Sequence, residues 1–160
     1  MEGSWWRQRN ELDPEQEAII GLPFDGRYLI QGPPGSGKTN LLLLRAAFMA
    51  KSGLKNQMVL TFGKVLSAFI DTGKKEIGSH QISTMVKWFR KQCHEQVHDF
   101  AKHESEALQS LHERDRFKAG RRFAAQELNK VYVAKPHGSQ LYDGMFVDEV
   151  QDLLKEELRV

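Results

Sequence analysis

The octapeptide GPPGSGKT at residues 32–39 constrains the fold more than any other stretch of the chain. It matches the phosphate-binding pattern G-x-x-x-x-G-K-[ST] at every fixed position. A short apolar run, Tyr28 to Ile30, precedes it and predicts a buried strand over 27–31, while an apolar helical pattern follows over 40–50. Strand, glycine-rich turn and helix together form the context in which this motif binds phosphate. The alternative is a chance glycine turn in front of a core helix.

Each residue type in this loop has a chemical role. Glycine lets the backbone take positive φ, so that successive N–H groups can point inward at an anion. The helix that follows adds unpaired N–H donors and the positive end of its dipole. Lys38 supplies a cation to the β- and γ-phosphates, and Thr39 supplies a hydroxyl to Mg²⁺. The predicted nucleotide-binding residues of the loop are Gly32, Pro33, Gly35, Ser36, Gly37, Lys38 and Thr39.

A second stretch completes such a site. The apolar run Met145 to Val147 predicts a strand, and it ends in two carboxylates, Asp148 and Glu149. Where a phosphate loop is present, an aspartate at a strand end holds Mg²⁺ together with the loop hydroxyl. We therefore predict Asp148 and Thr39 as metal ligands. Glu149 is predicted to activate water and, with Lys38, to be catalytic. Taken alone, Asp-Glu after an apolar run could equally begin or cap a helix.

The rest of the chain alternates between helical and extended patterns, which predicts an α/β fold with a parallel sheet flanked by helices. Asp13 is a suitable N-cap for a first helix, with Pro14 in its first turn. The charged stretch 94–130 predicts one or two amphipathic helices, forming a small helical insertion. The other predicted elements are a helix over 38–52, a strand over 57–62, a helix over 63–71, a short strand over 80–83, a helix over 84–93 and the start of a helix over 151–160.

Composition sets the remaining limits. A chain of 160 residues suits one domain, predicted over 12–160 after a tail at 1–11. The single cysteine, Cys93, excludes an internal disulfide and favours a reducing, cytoplasmic location. No apolar stretch approaches the roughly 18 residues that indicate a membrane span. The net charge of +2 is too small to indicate a nucleic-acid partner by itself.

Five stretches resemble, in order, the motifs of UvrD/Rep-like superfamily 1 DNA helicases. The phosphate loop is one of them. LDPEQ at 12–16 resembles the Q motif, and VDEVQDL at 147–153 resembles motif II, with Val150 in place of the usual alanine. VLTFGK at 59–64 and ISTM at 82–85 resemble motifs Ia and Ib. The resemblance implies a RecA-like P-loop NTPase domain that uses ATP and Mg²⁺, with single-stranded nucleic acid as partner and DNA favoured over RNA.

The resemblance also implies roles for single residues. Gln16 would recognise adenine, although three residues after Asp13 it could instead belong to a capping box. Gln151 would couple the γ-phosphate to the nucleic-acid site, the alternative being an exposed helix residue. The predicted nucleic-acid contacts are Thr61, Phe62, Thr84 and Trp88. Aromatic side chains among them could stack on bases, or could belong to the core.

Two expectations concern the surroundings of this domain. A basic run within 114–122 could follow a nucleic-acid backbone or form a solvated helix face. The chain ends soon after motif II, so the resemblance implies that a second RecA-like domain, with its arginine finger, is a missing partner. We therefore expect the isolated chain to bind Mg·ATP and to hydrolyse it very slowly. The alternatives are a P-loop ATPase or a nucleotide-binding module without a nucleic-acid role.

Overall fold

The computed structural model describes residues 11–63, 81–135 and 141–159. The chain divides into two compact units. The first unit comprises Met1–Ile82 and Leu141–Asp148, and the second comprises Ser83–Gln140 and Glu149–Val160. The predicted helix over 63–71 and the predicted tail lie, but for their terminal residues, outside the described residues.

The described residues form helices and strands of an α/β fold, as predicted. The helices are α1 (Pro14–Ile20), α2 (Lys38–Lys51), α3 (Met85–Gln96), α4 (Phe100–Leu108) and α5 (Glu113–Ala134). The strands are β1 (Gln57–Thr61), β2 (Gln81–Thr84) and β3 (Gly144–Val147). They form a small parallel sheet in the order β2-β1-β3, flanked by helices.

The core of the first unit lies where α2 meets this sheet. All five residues of β1 are buried, which explains why the strand is an apolar run rather than an alternating pattern. β1 pairs in parallel with β3, in a register that runs from Gln57 opposite Gly144 to Leu60 opposite Val147. Leu43 of α2 and Val59 of β1 form the buried centre, and the side chains packed against them are Leu42, Ile82 and Phe146. In this register, the last residue of β3, Val147, lies opposite Leu60, and Asp148 follows directly.

The second unit is helical. α3 and α4 both pack on the long helix α5, and most of the charged stretch 94–130 is helical, as predicted. Its core includes Phe100, whose ring lies 5.9 Å from that of Phe123 and stacks on it. Cys93 is buried in the same core, and its thiol donates to the carbonyl oxygen of Ala124 at 3.5 Å.

Two predicted elements are wrong. The segment 27–31 forms no strand, and Leu29 is 66 % exposed. Both sides of β1 are already occupied, by β2 and β3, so this short apolar run gains no place beside the central strand. The second error is the helix predicted over 151–160, where two 3₁₀ turns occur, Val150–Asp152 and Glu157–Arg159. Leu153 has extended backbone angles (φ −73°, ψ 143°), and an extended residue ends a helix.

Candidate nucleotide site

The loop before α2 has the backbone shape that its glycines predict. Gly35 and Gly37 have φ values of 77° and 81°, in the left-handed region that favours glycine. A Cβ atom at either position would meet nothing within 4 Å, so conformation rather than space requires glycine there. The N–H of Ser36 donates to the carbonyl oxygen of Pro33 at 3.2 Å and closes the turn. The loop is therefore curled and open on its outer side.

Helix α2 begins at Lys38, directly after the loop. Its N-cap is Gly37, which has no side chain to accept a hydrogen bond from the first turn. The first N–H groups of a helix have no intrahelical partner, and they carry the positive end of the helix dipole. With 14 residues, α2 presents this end at the loop, where an anion would be stabilised.

The Lys38 side chain folds back over the loop. Its Nζ donates to the carbonyl oxygens of Gly32 and Pro33, at 3.0 and 2.9 Å. Both acceptors are neutral, and a charged phosphate oxygen is a stronger acceptor for an ammonium group. The ammonium group is thus held at the mouth of the loop by bonds that a phosphate can replace.

Thr39 and Asp148, which are 109 residues apart in the chain, are in direct contact. The Thr39 hydroxyl donates to Oδ2 of Asp148 at 2.9 Å. Asp148 is 6 % exposed, and its N–H donates to the carbonyl oxygen of Leu60 at 2.9 Å. That bond extends the pairing of β1 with β3 one residue beyond β3 and directs the carboxylate toward the start of α2. The two predicted metal ligands are therefore brought together.

The donor set at this point suits Mg²⁺. A hydroxyl and a carboxylate are hard oxygen ligands, and Mg²⁺ is usually held by one or two carboxylates together with water and phosphate oxygens. Across the described residues there is no cluster of three or more His, Cys, Asp or Glu side chains that could hold a metal ion. A site that draws its other ligands from a nucleotide and water does not need such a cluster.

Gln16 takes part in the capping box that was its alternative interpretation. The Asp13 carboxylate accepts the Gln16 N–H at 2.9 Å, and the Gln16 Oε1 accepts the Asp13 N–H at 3.3 Å. The other end of the same amide faces the phosphate loop, where Nε2 donates to the carbonyl oxygen of Ser36 at 3.5 Å. The amide thus links the start of α1 to the loop, and adenine recognition by Gln16 stays a prediction.

Glu149 and Gln151 belong to the second unit and contact each other. Glu149 has a φ of 54°, which is unusual for a residue other than glycine and indicates local strain. Its carboxylate accepts a hydrogen bond from the Gln151 amide, and both side chains are exposed.

The predicted nucleic-acid contacts are mostly internal. Trp88 is 4 % exposed and meets the Phe89 ring edge-on at 5.1 Å, so the core alternative is the one observed for this side chain. Thr84 caps α3 by accepting the Lys87 N–H at 3.3 Å. Thr61 is buried and Phe62 is half-buried.

The basic run on α5 is largely engaged within the second unit. Arg121 bonds both carboxylate oxygens of Glu157, at 2.9 and 2.6 Å, and Arg122 bonds Glu156 at 2.9 Å. Arg116 donates to the carbonyl oxygen of Leu111 at 3.0 Å. Three of the cations in this run therefore have partners within the unit. Neither of the two predicted alternatives, a nucleic-acid track or a solvated helix face, includes such internal bonds.

Sequence reasoning missed Arg45. This arginine of α2 is buried and bonds backbone carbonyl groups at the end of α1. A signal was present, since Arg45 is the only charged residue between Lys38 and Lys51 in an otherwise apolar helix. A charge inside an apolar stripe indicates a buried polar partner.

No family model, curated protein or solved structure matches this chain. Along the described part of the chain, no helix has the combined length and apolar character needed to cross a bilayer.

Proposed function

We propose that this chain is a RecA-like nucleotide-binding domain for Mg·ATP, the first motor domain of a UvrD/Rep-like DNA helicase. The observation that carries the nucleotide-binding part is the 2.9 Å contact between Thr39 and Asp148 beside the curled loop. A phosphate loop and a strand-end aspartate are the two halves of a magnesium–nucleotide site in P-loop NTPases. A chance glycine turn would have no reason to lie beside a buried carboxylate.

The residues have separable roles in this proposal. The loop N–H groups and the first turn of α2 bind the phosphate chain, and Lys38 moves from neutral carbonyl oxygens to the β- and γ-phosphates. Thr39 and Asp148 would hold the metal ion. When bound, Mg²⁺ neutralises charge that develops on the phosphate oxygens. Glu149, the residue after Asp148, would orient and deprotonate the attacking water.

A second candidate is a P-loop ATPase or nucleotide-binding module without a nucleic-acid role. The burial of Trp88 favours it, because that side chain cannot stack on a base from within the core. Because the isolated chain is expected to hydrolyse ATP very slowly, the two candidates are separated by phosphate release from the full-length protein, measured with and without single-stranded DNA. Stimulation by DNA supports the helicase motor, while equal rates support the second candidate.

Replacing Lys38 tests the proposal most directly. Loss of a charged hydrogen-bond partner costs about 1.5–3 kcal/mol, so Lys38→Ala should weaken Mg·ATP binding by roughly 10- to 100-fold. The measurement is calorimetric titration with a non-hydrolysable ATP analogue. Lys51→Ala is the matched control, because Lys51 is an exposed lysine at the opposite end of the same helix. Equal affinities for both variants and wild type would overturn the assignment of the loop.

A further inference from the structure

Arg45 makes four hydrogen bonds to one short stretch of backbone. It is 8 % exposed and lies on α2, seven residues after Lys38. Its guanidinium group donates to four carbonyl groups around the end of α1. The acceptors are the oxygens of Ile19 at 3.4 Å, Ile20 at 2.9 Å, Leu22 at 2.9 Å and Pro23 at 2.8 Å.

These bonds supply partners for the carbonyl groups at the end of α1. The last carbonyl groups of a helix have no intrahelical partners and carry the negative end of the dipole. α1 has no basic residue in its own last turn, so Arg45 supplies from α2 the cation that this end requires. A helix of seven residues is also far too short to be stable by itself in water. Arg45 therefore adds to the packing of Ile20 in fixing α1 on α2.

The segment that follows α1 is organised by the same side chain. The guanidinium carbon lies 5.8 Å from the centre of the Phe24 ring and 5.4 Å from that of the Tyr28 ring, within the range of cation–π contacts. The Phe24 ring in turn lies 5.7 Å from the ring of Phe48, one turn further along α2. Burial lowers the pKa of Arg45, while the nearby Tyr28 opposes that shift. In the described part of the chain, carbonyl oxygens and rings surround this cation rather than a carboxylate.

Helix α2 thus links the phosphate loop, at its first turn, to α1, which it contacts through Arg45. Lys38 in the first turn of α2 serves the phosphates, and Arg45 lies about 10 Å further along the axis, on the same face, since seven residues make about two turns. α1, which Arg45 holds, carries Gln16, whose amide nitrogen lies 3.5 Å from the Ser36 carbonyl oxygen in the loop. A shift of α1 would move this amide relative to the phosphates.

We infer that Arg45 is a positioning residue for base selection, holding the Gln16 amide at a fixed distance from the phosphate loop. The inference rests on the proposed function. It specifies the ligand as an adenine nucleotide: Gln16 would exchange its bonds to Asp13 and Ser36 for an adenine edge, which an amide matches with a paired donor and acceptor. Arg45 itself touches neither the base nor the phosphates in this arrangement.

The test compares binding of ATP, GTP and inorganic tripolyphosphate, each with Mg²⁺, by calorimetry. Arg45→Lys keeps the charge but loses the planar fork that reaches several carbonyl groups at once. We expect the ratio of ATP to GTP affinity to fall by about tenfold, the effect of losing one good polar contact. Tripolyphosphate affinity should stay within about twofold of wild type, because independent sites are nearly additive. Arg27→Lys, an exposed arginine beside the same segment, is the control and should change neither value.

Gln16→Ala provides the second arm. If Arg45 acts through Gln16, Gln16→Ala should lower the same ratio, and adding Arg45→Lys should lower it little further. An unchanged ratio in Arg45→Lys overturns the inference, and so does an equal loss of ATP and tripolyphosphate affinity, which indicates a general structural effect. Fully additive losses in the double variant overturn it too.

Hydrogen exchange without nucleotide tests independently whether the bonds from Arg45 hold α1 in place. Arg45→Lys should accelerate exchange of the α1 amides and leave those of β1 unchanged. Equal protection of α1 in the variant and the wild type would show that Arg45 does not hold this helix. A wild-type chain that binds neither ATP nor tripolyphosphate overturns the proposed function, and the inference with it. Wild-type binding with an unchanged ratio in the variant overturns the inference alone.

Discussion

The Arg121–Glu157 ion pair of the second unit and the half-buried polar groups at the start of α2 in the first unit are held in opposite ways. In the second unit, Arg121 and Glu157 are 14 % and 1 % exposed, and they bond each other through two parallel hydrogen bonds. In the first unit, Lys38 rests on neutral carbonyl oxygens, and Thr39 shares a single hydrogen bond with Asp148. A closed ion pair leaves little capacity for a ligand, whereas partly satisfied groups at a helix start can exchange their partners for one. The difference separates polar groups that serve stability from those that serve binding.

Glu157→Gln tests the stability side of this comparison and has the largest expected effect. The change removes the charge of the buried Glu157 side chain that partners Arg121, and loss of a charged hydrogen-bond partner costs about 1.5–3 kcal/mol of unfolding free energy. Nucleotide affinity should not change. Urea unfolding, followed by circular dichroism, gives the first quantity and calorimetry the second.

Glu156→Gln is the matched control, because the Glu156–Arg122 pair is more exposed than the Arg121–Glu157 pair and an exposed pair contributes little. Equal losses of stability in the two variants would show that burial does not distinguish these pairs. A large loss of ATP affinity in Glu157→Gln would contradict the conclusion that the polar groups of the second unit serve stability and not binding.

Asp148→Asn tests the binding side, with an intermediate effect. The amide oxygen of asparagine can still accept the Thr39 hydroxyl, so stability should change little, while loss of the charge should weaken Mg²⁺-dependent ATP binding by about tenfold or more. Titrating Mg²⁺ at fixed ATP analogue measures this effect. Asp25→Asn, at an exposed aspartate of the same unit, is the control. Mg²⁺ dependence that survives intact in Asp148→Asn would exclude this carboxylate as a ligand.

The reactivity of Cys93 tests the core of the second unit, with the smallest expected change in unfolding free energy near neutral pH. Burial raises the pKa of its thiol to about 12, with the Glu104 carboxylate as a smaller contribution in the same direction. Because the native pKa lies above the ordinary value of 9.0, the stability contribution of the neutral thiol is complete below about pH 9 and falls as the pH rises toward 12. At pH 8.5, iodoacetamide should label Cys93 slowly in the native chain and rapidly in urea. Equal labelling rates would show that the core of the second unit is open to solvent.

The sequence predicted those parts of the molecule that local chemistry determines. Asp13 and Pro14 are a cap and a first-turn residue, and they begin α1 as expected. The glycines at 35 and 37 have the positive φ that a phosphate loop requires. An unbroken apolar run predicted β1, because a strand buried on both faces has no polar alternation. In each case the signal and the structure occupy the same few residues.

The errors come from features that depend on distant partners. The run over 27–31 had the composition of a strand, but a strand exists only where a neighbouring strand accepts its hydrogen bonds. The end of the chain had a helical pattern, but the left-handed Glu149 and the extended Leu153 divide it into short turns. For Trp88 the sequence left both a surface and a core position open, because only packing between helices distinguishes them.

The register of the sheet has a consequence for how this chain tolerates changes in length. Leu60 lies opposite Val147, and the next N–H along β3 still bonds β1, so the direction of the Asp148 side chain is set by counting residues along the sheet. Successive side chains of an extended segment point to opposite faces. Inserting or deleting one residue within β3 would therefore turn Asp148 away from Thr39 and present its neighbour in the chain instead. We therefore expect a one-residue insertion between Gly144 and Asp148 to abolish the contact between Thr39 and Asp148.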